Sequence, residues 1–309
     1  TRNSEGDFVQ LKSGKILFVY SRFTGGMSDH AAAQLVSRSS SDGGRTWSDT
    51  ERLLVDRGAA LNVMSVSLLR LQDGRIALFY LRKTSLADCR PVVCFSSDEA
   101  KTWTPPAEII PAEHVAYYVL NNDRVVQLSS GRIVVPVALH GNVGEKSQTD
   151  WAGKLTSYQS DDGGVQWHAS QTLQPAHAPD GSRVHAQEPG ILEMNSGRLM
   201  MWFRTNAGEQ YQCFSDDEGE TWGATQPMGL ASPTSPASIE RIPSTGDLLA
   251  VWNDLSHLEV EQRKLRTPLA VAISQDEGQS WTTPQPIASD PQGWYCYTAI
   301  DFVSEPLAG

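Results

Sequence analysis

The sequence predicts an all-β fold, a repeated array of four-stranded antiparallel units of the kind that forms propeller blades. Three observations carry this. The stretch SSSDGGRTW at Ser39–Trp47 follows a pattern, Ser-x-Asp-x-Gly-x-x-Trp, that returns at Ser96–Trp103, Ser160–Trp167, Ser215–Trp222 and Ser274–Trp281, with Ala100 in place of the glycine. A second element precedes each copy: an apolar strand, a polar turn with glycine, then a strongly apolar strand. The sequence also lacks long segments of helical period, while 25 Gly and 17 Pro are scattered along it as many short strands and turns require.

The elements can be taken in order. The five hairpins read QLKSGKILFVY from Gln10, RLQDGRIALFY from Arg70, QLSSGRIVVPV from Gln127, EMNSGRLMMWF from Glu193 and RIPSTGDLLAVW from Arg241. The motif tryptophans Trp47, Trp103, Trp167, Trp222 and Trp281 lie 56, 64, 55 and 59 residues apart, a fixed-period self-similarity that marks a repeat architecture. Each unit therefore reads strand, Gly turn, strand, connection, strand, Asp motif, strand. In the motif, Ser and Asp side chains can bond nearby backbone N–H groups, glycine supplies a conformation that a Cβ disfavours, and tryptophan anchors the turn. These aspartates are read as scaffold. The five units use residues 1 to about 288, and the tail offers one convincing strand, Tyr297–Val303.

The 309 residues suffice for a large core, and the whole chain reads as one domain. A hydrophobic fraction of 39% and a charged fraction of 20% are ordinary for a globular protein. No run of ~18 apolar residues suggests a membrane span. The net charge of −11 argues against nucleic acid as a partner, though a few converging arginines could still bind one carboxylate. Cys89, Cys94, Cys213 and Cys296 lack zinc-ligand spacing and read as buried free thiols. The seven histidines show no ligand spacing, so neither a metal nor another cofactor is expected. His30 and His185 flank site candidates and could orient them.

The Asp motifs with their preceding hairpins resemble the sialidase (neuraminidase) superfamily over nearly the whole chain. The resemblance implies a six-bladed β-propeller, with the sixth blade incomplete in this sequence. It also implies a set of site parts. Arg2 matches the first of three carboxylate-binding arginines, although the usual Arg-Ile-Pro is replaced by Arg2-Asn3-Ser4. Asp29, in Gly25-Gly26-Met27-Ser28-Asp29-His30, matches the acid/base aspartate, and Arg22 an arginine lining the same pocket. Glu188, in Gln187-Glu188-Pro189-Gly190, matches the assisting glutamate. Arg204, ending Met201-Trp202-Phe203-Arg204, matches the second arginine, and Arg266 the third, with Arg263 a competitor. Tyr297, in Tyr297-Thr298-Ala299-Ile300, matches the nucleophile, with Tyr295 the runner-up.

The residue types suit the chemistry that the resemblance implies, which is retaining hydrolysis of a terminal sialic acid or related ulosonic acid glycoside. Guanidinium forks bind carboxylates bidentately and stay charged. A tyrosine nucleophile escapes the repulsion that a carboxylate nucleophile would feel, but with a pKa near ~10 it needs a base. Two alternatives stand beside this reading. Glu5 and the segment Tyr117–Arg124 suit another acidic sugar such as a uronate, and a non-catalytic carbohydrate-binding propeller would use the same scaffold. Partners are therefore expected among sialylated or other acidic glycans, with a secreted or periplasmic location favoured over a cytoplasmic one.

Overall fold

The computed structural model describes residues 2–141 and 150–303, which form β-strands, turns and two short 3-10 segments and contain no α-helix. Four-stranded antiparallel units follow one another along the chain. The first runs Arg2–Gln10, Ile16–Phe23, Ala33–Ser40 and Arg52–Val55, each strand pairing with the next. The second is built from Asn62–Arg70, Ile76–Ser85, Asp88–Ser96 and Ala107–Glu108. The third has Val126–Gln127, Ile133–His140, Lys154–Ser160 and His168–Ala169, with Tyr117–Val119 beside it. A parallel pairing of Cys89 with Tyr117 joins these two into one nine-stranded sheet. The fourth unit is Gln187–Glu193, Leu199–Arg204, Glu209–Ser215 and Gln226–Ala231, and the fifth Ser238–Arg241, Leu248–Trp252, Leu269–Ser274 and Gln285–Ala288.

The core lies between units. Val9, Val19 and Leu35 of the first pack on Val66, Leu78 and Val92 of the second. Phe79 and Val93 of the second meet Val135 and Tyr158 of the third. Leu155 and Val134 of the third meet Met201, Phe203 and Cys213 of the fourth, and Met200 and Trp202 of the fourth meet Ile239 and Ala250 of the fifth. The central strands of the second, third and fourth units are thus sandwiched on both faces, which explains why the second strand of those hairpins reads as a continuous apolar run. Outside these contacts two faces stay open. Phe8 stacks on Phe18 at 4.5 Å beside Trp47 on the first unit, lining a cavity of about 960 Å³. On the fifth unit Ile273 and Ile287 are exposed.

The Asp motif forms the same turn five times. The serine hydroxyl (Ser40, Ser96, Ser160, Ser215 or Ser274) donates to the aspartate two residues on at 2.7–2.9 Å. That aspartate accepts the N–H four residues further on at 2.8–2.9 Å. The two residues that follow the aspartate are left-handed in every copy, including Ala100 at φ 61° where the others have glycine. Tolerance of Ala100 shows that the backbone alone does not forbid a Cβ; packing decides. At Gly164 an added Cβ would lie 2.4 Å from Cζ of Phe95. Gly164→Ala should therefore destabilise the fold by about 2 kcal/mol or more, from left-handed strain plus overpacking, as read by urea unfolding.

One expected element is corrected. No strand forms over Tyr297–Val303. The segment has no neighbouring strand, and side chains take up its backbone groups instead. Asn122 Nδ2 donates to the carbonyls of Tyr297 and Thr298 at 3.1 and 3.2 Å, Ser238 Oγ donates to that of Thr298 at 2.6 Å, and Asp123 accepts Ile300 N–H at 2.9 Å. All four cysteines are free.

Candidate active site

Most of the sequence-derived candidates meet around one pocket, to which the first strands of several units contribute residues. Each of three of these strands carries a β-bulge whose residue has a positive φ: Glu5 at 54°, Ser65 at 61° and Glu188 at 53°. A left-handed non-glycine residue is strained, and such strain gathers at functional sites. Each lies nine positions before the glycine of its own hairpin turn, Gly14, Gly74 and Gly197 (14 − 5, 74 − 65 and 197 − 188). Asp123 and Tyr297 share the conformation at 58°. The bulge turns the side chains of Glu5, Ser65 and Glu188 off the strand's alternation, and all three line the pocket.

A pocket of about 170 Å³ is lined by Glu5, Asp29, Tyr117, Glu188, Arg204 and Tyr297, among others. On one side Arg204 donates from Nη1 to Glu188 Oε2 at 2.9 Å and from Nη2 to Gln187 Oε1. Tyr297 donates its hydroxyl to Glu188 Oε1 at 3.4 Å. The Glu188 charge and burial hold the Tyr297 phenol well above its ordinary pKa, with Arg204 and Arg266 offsetting part of this. On the other side Arg2 reaches Asp29 Oδ1 at 2.6 Å and Glu5 Oε1 at 3.2 Å, its guanidinium 4.0 Å above the Phe23 ring. Asp29 sits in the loop between the first unit's second and third strands and is the most open of these acids.

Arg266 precedes the strand Leu269–Ser274, lies 4.9 Å from the Trp294 ring and 5.7 Å from that of Tyr297, and donates to Thr234 O at 3.1 Å. Its competitor Arg263 spends its donors on the carbonyls of Leu255, Leu258 and Gly208. Arg22 is not drawn into this group: it pairs with Glu51 at 2.5 Å and Gln34 at 2.9 Å on the first unit. Tyr295, the alternative to Tyr297, is tied by its N–H to Arg266 O at 3.0 Å and does not line the pocket.

Several residues in or beside the pocket had no assignment from the sequence. Lys83 is fully buried and donates to Tyr117 Oη at 2.9 Å and Asp29 O at 3.3 Å. Asn62 Nδ2 also donates to Asp29 O, at 2.9 Å, so the acid's backbone is doubly held. Burial lowers the Lys83 pKa, and burial followed by the Lys83 charge lowers that of His30. His140, whose pKa burial brings down to about 4, forms an aromatic wall with Tyr117 and the half-exposed Trp151. The nine-residue spacing from the turn glycine was the available signal for Glu5 and Ser65; nothing local marks Lys83 or His140, which arrive by tertiary packing. Among the described residues no three His, Cys, Asp or Glu side chains converge as metal ligands.

Known proteins were compared with this arrangement. The BNR repeat-like domain family matches residues 25–305. A sialidase of Micromonospora viridifaciens is 24% identical over 316 residues, covering 93% of this chain and 46% of that protein. A sialidase of Bacteroides fragilis (strain YCH46) is 24% identical, covering 71% of this chain and 38% of that protein. The chain thus spans about half or less of the length of these relatives. The crystal structure of the NanB sialidase from Streptococcus pneumoniae superposes with a TM-score of 0.76 at 15% identity, covering 98% of this chain and 63% of that one. No helix among the described residues is long and apolar enough to cross a membrane. The family match over nearly the whole chain, with sialidases as relatives and the repeated Asp turns as framework, means that this chain belongs to the BNR repeat-like domain family of the sialidase superfamily.

Proposed function

We propose that this protein is an exo-glycosidase that removes a terminal sialic acid or related ulosonic acid from a glycan with retention of configuration. The observation that carries this is the contact of the Tyr297 hydroxyl with Glu188, itself held by Arg204, in one pocket with Asp29. The phenol's raised pKa means that no phenolate is resident. Glu188 takes the proton as Tyr297 attacks the anomeric carbon, and Arg204 and Arg266 stabilise the negative charge that develops. Asp29 protonates the leaving oxygen and then activates water. Arg2, Arg204 and Arg266 receive the substrate carboxylate.

The same reading takes the fold to six blades. The aromatic face of Phe8, Phe18 and Trp47 and the apolar face of Ile273 and Ile287 are the two walls that a further sheet would cover. Tyr297, left-handed like Glu5 and Glu188, lines the cavity beside the aromatic wall.

A uronate is the second reading, favoured by Glu5 on Arg2, which makes the carboxylate clamp less open. Fluorogenic sialoside, uronide and neutral glycosides, assayed side by side, separate the two. Release from the sialoside alone is expected. Release from the uronide alone overturns the sialic acid assignment, and carbohydrate binding with no release from any substrate overturns the enzyme.

A further inference from the structure

We propose that Glu5 sets the selectivity of this pocket as an internal anion: it occupies Arg2 until the acid group of the substrate displaces it, and binding of an acidic sugar is therefore accompanied by proton uptake at Glu5. The inference rests on the sialidase reading above. Arg2 gives Nη1 to Asp29 and to the Met27 carbonyl. The other edge of its fork consists of Nη2, which contacts Glu5 at 3.2 Å, and Nε, which is buried with no partner among the described residues. That edge is the one on which a second carboxylate could bind bidentately, and Glu5 alone stands on it.

Glu5 cannot simply swing aside. It is 5% exposed, its Oε2 accepts Ser65 Oγ at 3.1 Å, and the carbonyl of the next residue, Gly6, is held by Asn122 Nδ2 at 3.0 Å. Left ionised without Arg2, it would be an unpaired charge in a buried site, so protonation is the cheaper outcome. Burial already raises its pKa to about 7; Arg2 lowers it, Asp29 and Glu188 raise it further, and the Ser65 hydroxyl favours the charged form. The remaining titratable groups in its field are Lys83 and Cys89 on the second unit, Tyr117 beside the third, and Cys296 and Tyr297 on the tail. An incoming carboxylate draws off Arg2, the cation that most opposes protonation, and adds a like charge, while the buried Lys83 stays in place. No bond other than that to the proton changes, and solvent supplies the proton.

Calorimetric titration of the intact chain with free sialic acid, in two buffers of different ionisation enthalpy, tests this. The wild type should take up close to one proton per ligand at pH 8, and its affinity should fall roughly tenfold between pH 6 and pH 8, the limit for one group with a pKa of about 7. Glu5→Gln should take up none and show a flat profile. Ser65→Ala, which keeps the carboxyl, should move the midpoint of the profile upward. Binding with equal proton uptake in wild type and Glu5→Gln, or an unmoved midpoint in Ser65→Ala, overturns the role of Glu5 and leaves the sialidase reading intact. Absence of both sialic acid binding and sialoside turnover in the wild type overturns the two together.

Discussion

Replacing Tyr297 by phenylalanine should lower kcat on a fluorogenic sialoside by roughly 10³-fold or more, with little change in KM or in thermal stability. The ring stays beneath Arg266, so the pocket keeps its shape. What disappears is one hydroxyl whose polar contact among the described residues is a long one to Glu188, at 3.4 Å. Such a contact contributes little to folding, whereas on the proposed mechanism this oxygen forms the covalent intermediate and is irreplaceable. Because the Glu188 charge and burial raise the Tyr297 pKa, a phenolate cannot wait for substrate, and the proton must pass to Glu188 as the bond forms. Glu188→Gln should therefore fall in the same way, and the double variant should be little worse than either single one, since the two act as a unit. Tyr295→Phe is the control, with activity near that of the wild type. Full activity in Tyr297→Phe beside an inactive Tyr295→Phe would move the nucleophile by two positions.

The repeat made the scaffold readable from the residues. Ser and Asp at fixed spacing report a local turn, and local turns depend on few partners. Continuous apolar runs such as Ile133–Leu139 report sheets packed on both faces, which the inter-unit cores then display. Tyr297–Val303 was misread for a related reason. Its apolar content is that of a strand, yet strand formation needs a neighbour, and here Asn122, Asp123 and Ser238 satisfy the backbone instead. Glu188 and Arg204 were named from the family resemblance, and the structure brings them together because both lie on one hairpin and meet by register, with Gln187 paired to Arg204. Lys83 was not, because its partners Asp29 and Tyr117 come from other units. Arg22 shows the reverse failure: a matching position in sequence, but a side chain on the strand face that meets Glu51.

The largest effect on stability should come from Arg124→Met. Arg124 is 2% exposed and caps the carbonyls of Ala237 at 2.7 Å and Asp123 at 2.8 Å. Asp7, Asp123 and Glu240 lie in its field, and burial raises the pKa of all three. Arg124 is the cation that opposes this at Asp123 and Glu240. Removing it leaves buried carboxylates uncompensated, a loss of about 3–5 kcal/mol near neutral pH. The sign of the pH dependence follows from the direction of the shifts. A carboxyl whose folded pKa is raised binds its proton more tightly when folded, so it stabilises fully below the unfolded value near ~4 and loses that contribution as pH climbs through the folded value. In the variant those folded values rise further, so the gap from the wild type should be small at pH 4.5 and widen steadily to pH 7.5. Urea unfolding at the two pH values measures it. An equal loss at both would mean that Arg124 acts by packing against Trp202 rather than by charge. The variant should also lose turnover at temperatures where it remains folded. Asp123 holds Ile300 N–H and Ser238 holds the Thr298 carbonyl, so loosening this junction releases the segment that carries Tyr297. The scaffold's most expensive buried charges and the proposed nucleophile are thus fixed by the same few residues, and a substitution at the first should be felt at the second.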